Sequence, residues 1–136
     1  MAIVRLFASA ALLLAGAAAT AAAQPASTGH DGSYAGSMTL RPLPMPPDQS
    51  YPACVETRPV SMEIAQGVVT VSYADWQNNT IHYRGQVDGV GNVQAWHTNG
   101  DGSHSILTGR VDGATFTGDL DRDVGRCPYS VTMSHR

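Results

Sequence analysis

The side chains best able to do chemistry in this chain are its tyrosines and histidines. When the chain is read as alternating strands, as set out below, His97 is the only ionisable group on an inward face. It stands opposite Tyr83, with Tyr73 and Tyr129 at the same end of the molecule. An imidazole and three phenols around one opening would hold a small ligand, apolar bodies forming the wall and polar tips fixing orientation. That reading needs a concavity of a few hundred cubic ångströms, roughly the lower range of small-molecule sites. The same residues also fit a core-edge histidine satisfied by a tyrosine hydroxyl or a carbonyl.

A second set falls on the outer face. Trp96 lies opposite Arg84 on one side and Ile106 on the other. Such a row is either a cation–π brace or a contact patch for a partner. Trp76, among Asn and Asp in the 74–80 loop, is placed to act as a lid or a sugar-stacking ring.

Other chemistries find little support. There is no GxSxG or SxxK nucleophile motif, and the only glutamates are Glu56 and Glu63. Phosphate-cradling loops need a strand, a loop and a helix, and no stretch after the N-terminal segment carries a helical stripe. His82 and His104 share an outer row with Thr98, but two strand spacings put them about 9–10 Å apart, too far to share a metal. Asp119 to Gly125 and Asn99 to Ser103 have alternating acids, yet each lacks the sixth-position Gly and the terminal Glu of a calcium loop. Hairpin turns account for both segments. The sequence thus predicts no enzyme, no cofactor and no metal, with a small secreted hydrolase as a distant alternative.

Charge and the N-terminus bound the setting. The eight basic residues are all arginine, the acids number eleven, and the net charge is −3. Nucleic-acid binding is not expected without a basic footprint. Leu6 to Ala19 is uncharged and follows Arg5, which fits a signal-peptide core and falls short of the ~20 residues of a membrane span. Ala21 and Ala23 suit a peptidase pocket, so residues 1–23 are expected to be removed, leaving Gln24 as the mature start. Removal of Arg5 takes the net charge from −3 to −4. The expected location is periplasmic or secreted, with no membrane span after cleavage, and the expected state is a monomer.

These residues must be positioned by strands. Residues 24–32 read as a flexible lead-in and 33–136 as a single β domain, whose length suits one core. Residues 41–53 hold Pro42, Pro44, Pro46, Pro47 and Pro52, a stiff extended loop. Elsewhere the chain alternates with period two, giving eight inward rows: Tyr34–Leu40, Val60–Ile64, Val69–Tyr73, Ile81–Val87, Val93–His97, Leu107–Val111, Ala114–Leu120 and Cys127–Met133. Asp112-Gly113 predicts a two-residue type I′ turn that pairs Val111 with Ala114 and Gly109 with Phe116. Carried onward, the register pairs Leu120 with Cys127 and Gly118 with Tyr129, so each inward glycine faces an aromatic ring. The motif Gly-x-Val-Asp-Gly at 85–89 and 109–113 predicts the same turn used twice.

Cys54 and Cys127 lack metal-site spacing, and an up-and-down meander brings both to one end, so a disulfide is expected. The fold class is therefore all-β: a small antiparallel up-and-down barrel of about eight strands, with an open two-layer sandwich as the alternative. The function that fits is an exported, non-enzymatic binding module for a small molecule or an envelope or extracellular partner. A structural or envelope-associated protein without a pocket is its rival.

Overall fold

The computed structural model of the protein describes residues 29–43 and 52–136. The expected signal peptide and most of the lead-in and proline loop lie outside the described residues. Eight strands run in chain order: β1 (Gly32–Leu40), β2 (Thr57–Ala65), β3 (Val68–Ala74), β4 (Thr80–Val87), β5 (Asn92–Thr98), β6 (His104–Asp112), β7 (Thr115–Leu120) and β8 (Tyr129–His135). All neighbours pair antiparallel, and β8 returns to β1 to close the barrel. No helix among the described residues is long and apolar enough to cross a membrane.

Period two builds the core. Val60, Met62 and Ile64 on β2, Val69, Val71 and Tyr73 on β3, and Tyr129, Val131 and Met133 on β8 all point inward and are buried. The outward positions between them carry Ser, Thr and Glu63, so each of these strands has one dry and one wet face. Ala114 departs from its expected row, being an exposed turn residue. The segment leading into β1 is anchored: the Asp31 carboxylate accepts the Gln66 and Gly67 amides at 2.8 and 3.1 Å, capping the β2–β3 turn.

The expected register of the last two hairpins is wrong by two residues. Val111 pairs with Phe116 and Gly109 with Gly118, while Leu120 pairs with Tyr129 and Gly118 with Val131. A slip of two preserves the inward face, which is why parity could not detect it. The central turn residues are Gly113 and Ala114, and only Gly113 has positive φ (59°), whereas a type I′ turn needs it at both. Both glycines are still covered by an aromatic side chain, but one ring does it: Phe116 lies against Gly109 and Gly118 alike. The repeated Gly-x-Val-Asp-Gly also ends in two different turns. After Asp88 the chain offers Gly91 for a left-handed position (φ 95°), whereas the equivalent place after Asp112 is the β-branched Thr115.

That left-handed position belongs to a loop used four times. In 75–79, 88–92, 99–103 and 123–127, the first residue's N–H donates to the fifth residue's carbonyl, and the fourth residue's N–H returns to the first carbonyl. The fourth residue has positive φ each time: Asn78 (65°), Gly91 (95°), Gly102 (84°) and Arg126 (65°). Asp75, Asp88 and Asp123 each accept two backbone N–H groups of their own loop at 2.7–3.0 Å. These aspartates are backbone devices, as expected of turn acids. Three of the four loops, after β3, β5 and β7, gather at the end that carries the Cys54–Cys127 disulfide. That bond closes a separation of 73 residues, which in the chain-entropy model stabilises the fold by roughly 4 kcal/mol.

The tight wall can be tested at one residue. A Cβ at Gly85 would run into the carbonyl of Gln94 and the Cα of Ala95, both backbone atoms that cannot swing aside. Gly89 has open space at the same place. Gly85→Ala should cost about 2–3 kcal/mol in urea unfolding, and Gly89→Ala less than about 0.5. Equal effects would contradict the close β4–β5 approach.

Candidate functional site

At the disulfide end the barrel holds a charge that the sequence reading did not place. Arg58, two residues before Val60 and so on the same inward face, is only 4% exposed. His97 is therefore not the only inward ionisable group. The signal is the period-two run Arg58, Val60, Met62, Ile64, in which Arg58 stands two residues before the first apolar member of the inward row.

Each nitrogen of the guanidinium is used. Nε donates to the Tyr129 hydroxyl at 3.2 Å, Nη1 to the Ala74 carbonyl at 3.0 Å, and Nη2 to the Ala53 carbonyl. Tyr129 passes the chain on by donating to the Val55 carbonyl at 2.8 Å. The cation also lies 5.6 Å from the Tyr129 ring centroid and 6.0 Å from that of Tyr73. One side chain thus ties β2 to the ends of β3, β8 and the segment around Cys54. A buried cation persists only with this degree of satisfaction.

The four residues expected to form the mouth all come to this end. Tyr73 and Tyr83 stack with centroids 5.9 Å apart and hydroxyls 3.3 Å apart. The His97 ring is 5.7 Å from that of Tyr83. Its Nδ1 is 3.0 Å from the His82 carbonyl, so this nitrogen carries the proton and donates. Tyr129 joins the group through Arg58. The three phenols are buried, and burial pushes each hydroxyl above its ordinary pKa. The space bordered by Tyr73, Tyr83 and the core residues beneath them is only about 10 Å³. The tyrosines form a packed floor.

The opening lies one layer further out. A groove of about 450 Å³ runs between the 99–103 and 122–126 loops, lined by residues that include Asn99, Asp101, His104, Ser105, Arg122, Asp123 and Arg126. Floor and groove are continuous: the buried Ser105 lines the groove, bonds to Asn99 at 3.3 Å and reaches the Tyr83 hydroxyl. None of these lining residues was chosen from the sequence, because only the folded loops bring 99–105 against 122–126.

The groove's charges are unequally engaged. Asp101 is held below the usual carboxylate value by the Ser103 hydroxyl and amide, with help from Arg126. The Asp123 carboxylate accepts the Gly125 and Cys127 amides, both at 2.8 Å. Burial nevertheless raises its pKa, outweighing those amides and the nearby Arg58, while Asp75 adds repulsion. Arg41 is paired with Asp121 at 3.1 Å. Among the described residues Arg122 and Arg126 make no ion pair and no side-chain hydrogen bond. The groove therefore carries two guanidinium ions outside any ion pair, and that of Arg126 still acts on the Asp101 carboxylate.

The outer patch is assembled as expected, with Arg84 opposite Trp96 and Trp96 opposite Ile106. Among the described residues the cation–π contacts belong to Arg58, so Arg84 does not brace the indole. His82 and His104 turn to separate hydroxyls, Ser72 at 2.8 Å and Thr98 at 3.2 Å. No group of three His, Cys, Asp or Glu suited to a metal occurs among the described residues.

Asp123 gives a pH test with a definite sign. Because its folded pKa is raised, the folded state binds more protons than the unfolded state above the ordinary carboxylate value, and stability falls as pH rises through that window. Asn at this position can still accept both amides and carries no charge. The stability of Asp123→Asn relative to the parent protein should therefore increase between pH 3 and pH 7, measured by urea unfolding at each pH. A difference that is flat or falls with pH would contradict the burial of this carboxyl.

Set against known proteins, the chain matches no protein-family model, no curated protein and no solved structure.

Proposed function

We propose that this chain is an exported, non-enzymatic binding module that holds a small anion, a carboxylate or phosphate compound, in the groove at the disulfide end. The periplasm or the extracellular space is the proposed location, since the disulfide fits an oxidising compartment. The observation that carries the reading is Arg126. The equivalent position in the sister loops is Asn78, Gly91 or Gly102, residues that accept a left-handed backbone at little cost. An arginine there is strained by about 1–2 kcal/mol, and strain of this kind gathers where a side chain has a task. Arg126 lines the same groove as Arg122, and two guanidinium groups suit bidentate recognition of a carboxylate or phosphate.

The groove does not read as a hydrolytic centre. Ser103 is bonded to Asp101, Ser105 to Asn99, and His104 is turned to Thr98, so neither serine of the groove is hydrogen-bonded to a histidine. The buried Tyr73, Tyr83 and Tyr129, with His97 against Tyr83, serve this reading as the rigid floor that fixes the groove.

The test separates strain from binding. Arg126→Asn should hold stability or raise it by up to about 1 kcal/mol. Calorimetric titration with citrate and with inorganic phosphate should find binding to the parent protein that weakens roughly ten- to a hundredfold in Arg126→Asn and in Arg122→Gln. Binding unchanged in both variants, or no binding of either probe by the parent protein, would overturn the proposal in favour of a structural role.

A further inference from the structure

The outer wall of β3 to β6 differs in charge from the rest of the molecule. The outward positions of these four strands carry Arg84, Arg110, His82 and His104, and the only acid on them is Asp112, at the far end of β6, while Asp75, Asp88 and Asp101 lie in the loops at the wall's two ends. The protein as a whole has net charge −3. Neither Arg84 nor Arg110 makes an ion pair among the described residues.

Trp96 stands near the middle of this wall and is 46% exposed, with Ile106 beside it at 42%. The register lays out two parallel rows: Thr70, Arg84, Trp96, Ile106 and, one step along the strands, Val68, Gln86, Gln94, Thr108. Beyond the exposed Val68, the second row is a rail of two amides and a hydroxyl that offers both donors and acceptors. Four strands at the usual spacing make each row about 14 Å long, the reach of a few sugar rings.

We propose that this wall is a platform for an acidic polysaccharide, one whose sugar rings carry carboxylates. A pyranose ring presents an apolar C–H face and a rim of hydroxyls. The open indole of Trp96 takes the first, the Gln86–Gln94–Thr108 rail takes the second, and Arg84 takes a ring carboxylate. The absence of acids from the middle of the wall supplies charge complementarity, and the same two arginines disfavour a second copy of the chain against this face. Two cations are too few for tight binding to a phosphate backbone, which sets the platform apart from a nucleic-acid site. Arg84, Trp96 and the Gln86–Gln94–Thr108 rail share no residue with the groove, whose lining meets the wall only at His104.

Native affinity electrophoresis tests the platform with full-length mature protein. Polygalacturonate in the gel should retard the protein more than its methyl-esterified, uncharged counterpart. Trp96→Ala should weaken that retardation about tenfold, and Trp96→Phe less, while thermal unfolding of both stays close to that of the parent because the ring is exposed. Arg84→Gln should weaken binding and flatten its salt dependence. Arg126→Asn should leave retardation unchanged, which keeps this outcome separate from that of the groove. Absence of retardation, equal retardation of Trp96→Ala, stronger retention by single-stranded DNA, or a dimer lost on substituting Trp96 would each overturn the proposal.

Discussion

A guanidinium ion buried inside one end of a small barrel constrains everything around it. Arg58 could not stay there unless its donors and its charge were met, and they are met by the Ala53 and Ala74 carbonyls, the Tyr129 hydroxyl and two aromatic faces. Those partners come from β3, β8 and the segment preceding β2, so satisfying one cation on β2 fixes several chain segments at once. The disulfide holds the same neighbourhood covalently, joining Cys54, next to Ala53, to Cys127, two residues before Tyr129. Asp123 adds the counter-charge, held in place by the amides of the loop that ends at Cys127. The result is a rigid polar floor at one end of an otherwise apolar interior.

On that floor stand loops of one repeated design. The loop after β3 begins with Asp75, that after β5 with Asn99 and that after β7 with Asp123. Repetition gives the end of the barrel a uniform frame, and departures from the pattern mark where function is sought. Asn99 turns its side chain to Ser103 and Ser105 and away from its own loop amides, which builds the groove's inner wall. Arg126 replaces the glycine or asparagine of the sister loops and puts a cation on the rim.

Alternation made the barrel legible, because a closed antiparallel sheet with one dry face leaves a period-two record in every strand. The buried apolar residues of β2, β3, β6 and β8 follow from it directly. Register did not follow, since Gly109 opposite Gly118 and Gly109 opposite Phe116 place identical residues inward. The disulfide was legible from topology and two cysteines. Arg58 was missed because a charged residue beside Pro59 looks like a strand end, although its parity is that of the core. The tyrosine cluster was located correctly at one end, but sequence cannot say whether such a cluster surrounds a space or fills it. The groove was invisible because its two sides are separate loops that meet only when β6 and β7 are in place.

Native-state hydrogen exchange measures, residue by residue, how far Arg58 organises the disulfide end. Arg58→Met preserves bulk and removes the donors. In this variant, amides of the 99–103 and 123–127 loops should lose at least about tenfold in protection beyond any uniform change, while the 88–92 loop at the opposite end keeps its relative protection. A loss spread evenly over both ends, or none at all, would contradict that organising role.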